Sequence, residues 1–261
     1  MNRIDSLFKS RKRKALIAYL TVGYPSVETT LAVAPALVAN GCDMIELGIP
    51  FSDPLADGAT IQRASHSALQ NGVTPQRCLE VAAALRKRVD IPLIFMGYYN
   101  SIFHYGLEPF CDAASQAGID GLIVPDLPPE EGAELEEATT DHNIDLIYLL
   151  APTTADKKRL RLVADRSRGF IYVVSLKGVT GARDSLPIDL EGFIARIRGV
   201  TTKPLCVGFG ISTPEQARHV ASLADGVIIG SRILEIVEKS GDPAAAAGEF
   251  IRKIKGAISP H

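Results

Sequence analysis

The sequence predicts an α/β fold, a single (β/α)8 TIM barrel over residues 1–261 with an extra helix at the N-terminus. Three observations lead there. Short apolar runs recur eight times along the chain, and helical patterns separate them. The runs are continuous rather than alternating, as in parallel strands buried on both faces. Eight such repeats in a chain of 261 residues suit one closed barrel, and no low-complexity linker marks a second domain.

The elements follow in order. Ile4, Leu7 and Phe8 are spaced for a short amphipathic helix ahead of the first strand. The eight runs are 16–20, 44–47, 92–96, 121–124, 145–149, 170–174, 205–207 and 227–229. Between them, Leu31/Ala34/Leu37/Val38, Cys78/Val81/Ala82/Leu85, Phe110/Ala113/Ala114/Ala117, Leu160/Val163/Ala164 and Leu190/Phe193/Ile194/Ile197 follow the helical period. Thr74-Pro75 and Thr213-Pro214 each place a capping hydroxyl before a proline at the first helical position. Pro128 to Glu131 and Thr154 to Asp156 mark two further helix starts, with acids in the first turn. Pro35 inside a helical pattern predicts a kink. A doubly wound open sheet is disfavoured, since Thr21-Val22-Gly23-Tyr24-Pro25 stands where a Gly-x-Gly-x-x-Gly turn would follow the first strand.

The bulk properties narrow the function classes. A hydrophobic content of 46% with 22% charged residues describes a globular protein with a sizeable core. The net charge of −2 gives no footprint for nucleic acid or an anionic membrane. The basic run Arg11 to Lys14 is read as a solvated connection. Cys42, Cys78, Cys111 and Cys206 are dispersed without metal-ligand or redox spacing, so a reduced, cytoplasmic setting is expected. Neither a signal peptide nor an apolar run of membrane-spanning length is found.

The stretch from Asp43 to Gly58 carries the chemistry. Along its strand Cys42, Met44 and Glu46 are expected to share one face, with Ile45 and Leu47 on the other. A carboxylate in such a run is costly to bury, so the pKa of Glu46 should be raised. Eleven residues later comes Asp57, on a loop bounded by proline and glycine, with Asp53 between them. The two carboxyls form a candidate acid–base pair. A structural ion pair for Glu46 and ordinary Asp-Gly turn chemistry for Asp57 are the alternatives.

In a barrel the loops after the strands gather at one end and build the site. The loop after the sixth strand, Leu176 to Asp184, is long and polar with two glycines, which fits a mobile lid or a plain surface loop. The seventh strand ends in Gly208-Phe209-Gly210, and the eighth in Gly230-Ser231 at a helix start. Glycines after three consecutive strands beside a helix N-terminus predict a phosphate site. The five histidines do not cluster, and His66 and His142 fall on helical surfaces. Lysine is absent from the strand interiors, against Schiff-base chemistry.

Residues 46–58 (ELGIPFSDPLADG), Gly178-Val179-Thr180-Gly181, 208–212 (GFGIS) and Gly230-Ser231 together resemble the tryptophan synthase α chain family over nearly the whole chain. The resemblance implies a lyase that cleaves indole-3-glycerol phosphate by a retro-aldol step to indole and glyceraldehyde 3-phosphate. It implies Glu46 as general acid and base, and Asp57 as acceptor of the indole N–H. It places Tyr19, Met96, Tyr172, Thr180 and Phe209 around the substrate, Thr180 touching Asp57, and Gly181, Gly210, Gly230 and Ser231 around the phosphate. It implies no metal and no cofactor in this chain, pyridoxal phosphate belonging to a partner β chain in an α2β2 assembly. Phe51 and Asp53, on the proline-stiffened loop, are the expected partner contacts. Tyr19 and Met96 depart from the Phe and Leu frequent in the family, and Leu176-Lys177 from more polar lid residues. Another phosphosugar-binding barrel enzyme and a catalytically idle regulatory barrel are the competing functions.

Overall fold

The structure, a computed structural model, describes residues 2–9, 14–152, 156–174, 189–208 and 210–259. Its strands form one parallel sheet. In chain order these are β1 (Ala15–Thr21), β2 (Met44–Gly48), β3 (Leu93–Met96), β4 (Gly121–Ile123), β5 (Asp145–Ile147), β6 (Leu149–Leu150), β7 (Ile171–Val174), β8 (Leu205–Gly208) and β9 (Gly226–Ile229). β1 lies between β2 and β9, joining the first strand to the last. The strands lie in the order β5-β4-β3-β2-β1-β9-β8-β7-β6, and its two ends, β5 and β6, are separated by Tyr148 alone, so the sheet returns on itself as a barrel.

That break corrects the single strand expected over 145–149. β5 pairs with β4, and β6 with β7. At the break, the Tyr148 N–H donates to the Ser167 hydroxyl at 3.1 Å, while the Tyr148 carbonyl accepts from the Tyr172 N–H at 3.1 Å. A side chain thus replaces one backbone partner of the ladder, and the regular pairing is interrupted there.

The two faces of the sheet bury different sets. Leu16, Ala18 and Leu20 pack outward with Ile45 and Leu47 against the helices. Ala15, Ile17 and Tyr19 point inward with Met44, Ile94, Ile123 and Ile228 and fill the barrel. Period-two alternation therefore divides each strand between two apolar environments. Cys42 joins the outer set, not the face of Met44 and Glu46, because regular alternation begins only at Met44.

The extra N-terminal helix, α1 (Arg3–Lys9), closes the bottom of the barrel. Ile4 is fully buried, and β-carbons at Gly121 or Gly169 would lie 2.9 Å from its side chain. The Asn2 side chain donates to the Asp120 carbonyl at 2.7 Å, and Arg3 and Arg86 both pair with the Asp120 carboxylate. Truncating Ile4→Ala is expected to cost about 2–4 kcal/mol, read as a lower urea midpoint.

The helical layer follows the patterns. α2 (Val27–Ala39), α4 (Pro75–Arg86), α8 (Lys157–Arg166) and α10 (Pro214–Leu223) are capped by Ser26, Thr74, Asp156 and Thr213, whose side chains each accept an N–H in the first turn. α2 continues through Pro35 as one helix. The missing N–H of Pro35 would orphan the Leu31 carbonyl, which accepts instead from the Arg88 guanidinium at 2.5 Å. Pro128 to Glu131 start only a short 3-10 turn, Pro129–Glu131, and α7 (Ala133–Asp141) begins beyond Gly132. Proline at 128 and 129 fixes two extended-to-helical steps but cannot supply N–H groups for a continuous first turn. α3 (Ala59–Gln70), α5 (Tyr99–Tyr105), α6 (Leu107–Gln116), α9 (Leu190–Arg198), α11 (Ser231–Lys239) and α12 (Pro243–Ile258) complete the layer.

Candidate active site

β2 carries Glu46 in the inward row between Met44 and Gly48, opposite Tyr19 of β1 and Ile94 of β3. Glu46 is 0% exposed, and neither carboxylate oxygen has a hydrogen-bond partner among the described residues. Among the described residues the structural ion pair is therefore not made. Burial alone pushes its pKa up to about 8. A carboxyl left unsatisfied at the mouth of a barrel is costly to the fold and ready for a ligand.

Two tyrosines flank it in matching ways. A β-carbon at Gly48 would lie 2.1 Å from the Tyr19 hydroxyl, and one at Gly208 would lie 2.3 Å from that of Tyr172. Each ring thus leans from its own strand across a glycine near the top of the next. Glycine is required at both places because any side chain would fill the space of the phenol. The Thr21 hydroxyl donates to that of Tyr19 at 3.3 Å.

The loop from Ile49 to Gly58 brings the second acid back over the barrel. Asp57 is buried, with a pKa raised to about 6 by burial and partly restrained by a hydrogen bond from Tyr98. The Tyr98 hydroxyl donates to Asp57 Oδ2 at 3.0 Å, and Asp57 Oδ1 has no partner among the described residues. Backbone bonds fix the loop: the Asp57 N–H donates to the Pro54 carbonyl, and the Gln62 side chain donates to the Asp57 carbonyl at 2.9 Å. Ser65 exchanges two hydrogen bonds with the backbone of Phe51.

Glu46 and Asp57 line one cavity of about 350 Å³ with Tyr19, Met96, Tyr172, Gly210, Gly230 and Ser231. That volume suits a small organic ligand. At its rim Gly230 caps α11 without a side-chain hydrogen bond, and Ser231 begins the helix. Gly210 adopts the left-handed region at φ +74°. A helix N-terminus flanked by two glycines presents backbone N–H groups to an anion.

Most of the site read from the sequence therefore meets in one place. Thr180, Gly181 and Phe209 lie outside the described residues, as does the whole loop 176–184. Phe51 is half-buried and stacks on Tyr98 at 5.0 Å, while Asp53 is exposed. The large exposed apolar side chains at this end are Leu55 (92%) and Phe103 (60%). The sequence places Gly208 among the phosphate glycines, whereas the structure uses it, like Gly48, to make room for a phenol; Tyr98, Ile61 and Gln62 are not among the expected site residues. A glycine inside a strand-like run was the available signal for these two glycines, whereas Tyr98 carried none beyond its place after the third strand. Among the described residues no group of three or more His, Cys, Asp or Glu is placed to hold a metal, and no helix is long and apolar enough to cross a membrane.

The family model of the tryptophan synthase alpha chain matches residues 6–256. The chain belongs to that family. It is 55% identical over 259 residues to the tryptophan synthase alpha chain of Dehalococcoides mccartyi, covering 99% of this chain and 100% of that one. It is 50% identical to the Chloroflexus aggregans alpha chain, with 98% of each covered. Among solved structures, tryptophan synthase subunit alpha from Legionella pneumophila superposes with a TM-score of 0.90 at 38% identity, covering 99% of this chain and 98% of that one. A chain of Mycobacterium tuberculosis tryptophan synthase gives a TM-score of 0.89 at 36% identity, covering 99% and 97%. As a member of the tryptophan synthase alpha chain family, the protein has its place in tryptophan biosynthesis, with lyase chemistry.

Proposed function

We propose that the protein cleaves indole-3-glycerol phosphate to indole and glyceraldehyde 3-phosphate by a retro-aldol reaction. The observation that carries this reading is the fully buried Glu46, without a partner among the described residues, facing the same cavity as Asp57, with a glycine-built helix N-terminus at the cavity rim. Breaking the carbon–carbon bond requires a proton on indole C3 and removal of one from the adjacent side-chain hydroxyl. With a pKa of about 8, Glu46 is protonated at neutral pH and donates to C3. The carboxylate so formed takes the hydroxyl proton as the bond breaks, and the acid is restored. Asp57, ionised above about pH 6, accepts the indole N–H and stabilises the cationic ring formed on C3 protonation. Only protons move, so these steps draw on no metal or cofactor. Cleavage should therefore peak between about pH 6 and 8, declining below as Asp57 protonates and above as Glu46 ionises.

The phosphate is assigned to the backbone N–H groups of Gly210, Gly230 and Ser231, joined by Gly181. Proline is tolerated at the first helical position but lacks the N–H. Ser231→Pro is therefore expected to raise KM roughly tenfold to a hundredfold with a smaller change in kcat, the loss of one hydrogen bond to a charged group, about 1.5–3 kcal/mol. An unchanged KM would remove Ser231 from the phosphate site.

Tyr19, Met96 and Tyr172 supply the apolar wall against the indole ring, together with Phe209, and Thr180 is assigned to Asp57. Indole is small and uncharged, so direct transfer to a second enzyme avoids its loss. The partner in this reading is a tryptophan synthase β chain carrying pyridoxal phosphate, in an α2β2 assembly. The loop around Phe51 and Asp53 is its docking face, and the exposed Leu55 adds an apolar contact. The test is indole release from indole-3-glycerol phosphate, with and without micromolar β chain, alongside size-exclusion elution. Slow release by the chain alone, accelerated in a larger complex, is expected. The absence of indole in both samples would sink the proposed reaction, and the absence of a complex would sink the partnership.

A further inference from the structure

The Asp57 carboxylate has one hydrogen-bond partner among the described residues, and it comes from another strand's loop. Tyr98 caps α5, just beyond β3, and its side chain is buried. Its hydroxyl lies between two groups of the Asp57 loop, donating to Asp57 Oδ2 at 3.0 Å and accepting the Ala56 N–H at 3.0 Å. Its ring stacks on Phe51 of the same loop, with centroids 5.0 Å apart and an interplanar angle of 19°. Ser52, Asp53, Leu55 and Ala56 between these anchors are exposed. The loop tip therefore has little packing of its own, and Tyr98 grips it at three points.

We infer that Tyr98 is the positioning residue of Asp57: its hydroxyl fixes one carboxylate oxygen and leaves the other aimed into the cavity for the substrate. The inference rests on the retro-aldol reading, in which Asp57 accepts a ring N–H. A carboxyl that must present a single oxygen to a planar donor needs its rotation blocked, and a bond to the second oxygen blocks it. Burial raises the pKa of the Tyr98 hydroxyl, so it remains a donor throughout the working pH range. The same bond draws the Asp57 pKa downward against the effect of burial. Among the described residues, the other titratable groups that act on this end of the cavity are Glu46 of β2, Tyr19 of β1 and Tyr172 of β7, with the charge of Asp126 acting on Tyr98 itself. Glu46 is protonated while Asp57 titrates, and both tyrosines remain neutral with raised pKa values. Tyr98 is therefore the group whose removal should move the Asp57 titration.

The test compares wild type, Tyr98→Phe and Phe51→Leu by carboxyl 13C NMR titration of Asp57 and by the pH profile of kcat/KM for indole-3-glycerol phosphate. Tyr98→Phe retains the ring and its stack but strips the partner from Asp57 Oδ2 and from the Ala56 N–H. Its Asp57 midpoint should rise by roughly one unit, the acid limb of kcat/KM should rise with it, and kcat/KM should fall roughly tenfold to a hundredfold. Phe51→Leu, which keeps the hydroxyl, should leave the midpoint in place. An unmoved Asp57 midpoint in Tyr98→Phe overturns the inference, as does an equal shift in Phe51→Leu, which would assign the role to the stack. If wild type released no indole, the retro-aldol reading would fail separately, and the NMR titration would still decide whether Tyr98 holds Asp57.

Discussion

Glu46→Gln is expected to lower the rate of indole-3-glycerol phosphate cleavage by roughly 10²–10⁴, the loss typical of a removed general acid–base. Glutamine keeps the shape of the side chain but neither delivers a proton to C3 nor accepts one from the hydroxyl. The effect should fall on kcat more than on KM, because the proton transfers belong to the transition state. The fold should survive, since among the described residues Glu46 makes no hydrogen bond that the substitution would break. Steady-state kinetics at pH 7 with circular dichroism as a control suffices. Retention of more than a tenth of wild-type turnover, on the order of 1.4 kcal/mol lost or less, would remove Glu46 from the chemistry.

The same substitution should change stability in a way that depends on pH. The folded-state pKa of Glu46 is about 8, against 4.5 for an ordinary glutamate. The folded protein therefore holds a proton that the unfolded chain releases above about pH 4.5. The stability linked to that proton is fully present below 4.5 and is lost as pH rises through about 8. At 1.36 kcal/mol per unit, carrying the ionised form costs roughly 4–5 kcal/mol. Glutamine stays neutral at every pH, so Glu46→Gln should gain stability over wild type by about 3–4 kcal/mol between pH 5 and 8. Asp57 titrates in both proteins, and its contribution cancels to first order. Urea unfolding of both proteins at pH 5, 6, 7 and 8 reads the difference directly. A difference that stays flat across that range would mean that Glu46 is ionised in the fold.

Much of this was legible in the sequence because the signals were local. The strand runs around Leu16 and Val227 carry their apolar residues in unbroken series, and the caps at Thr74 and Thr213 are written in two adjacent residues. Glu46 stood out as a charge in a run that excludes charge. Other features depended on residues far apart in the chain. The break at Tyr148 arises from the Ser167 hydroxyl, nineteen positions away, taking a place in the ladder. Continuity of α2 through Pro35 depends on Arg88, fifty-seven positions beyond the carbonyl that it serves. The grip of Tyr98 on Asp57 spans forty-one positions. Spacing reports helix faces and strand alternation, and says nothing of which distant side chain satisfies an orphaned backbone group.

The pairing of β1 with β9 has a consequence for the order in which the chain is made. Ala15 pairs with Gly226, whereas on the other side Ile17 pairs with Met44. On a translating ribosome, β1 therefore gains one neighbour early and lacks the other until more than two hundred further residues have emerged. At about 5–20 residues per second, that interval is roughly 10–40 s. During it the nascent chain presents an open edge of ALIAYLT, a segment buried on both faces in the finished barrel. Such an edge is a template for pairing with other chains. The last strand to be synthesised thus protects the first, and cellular yield depends on what shields β1 in the meantime.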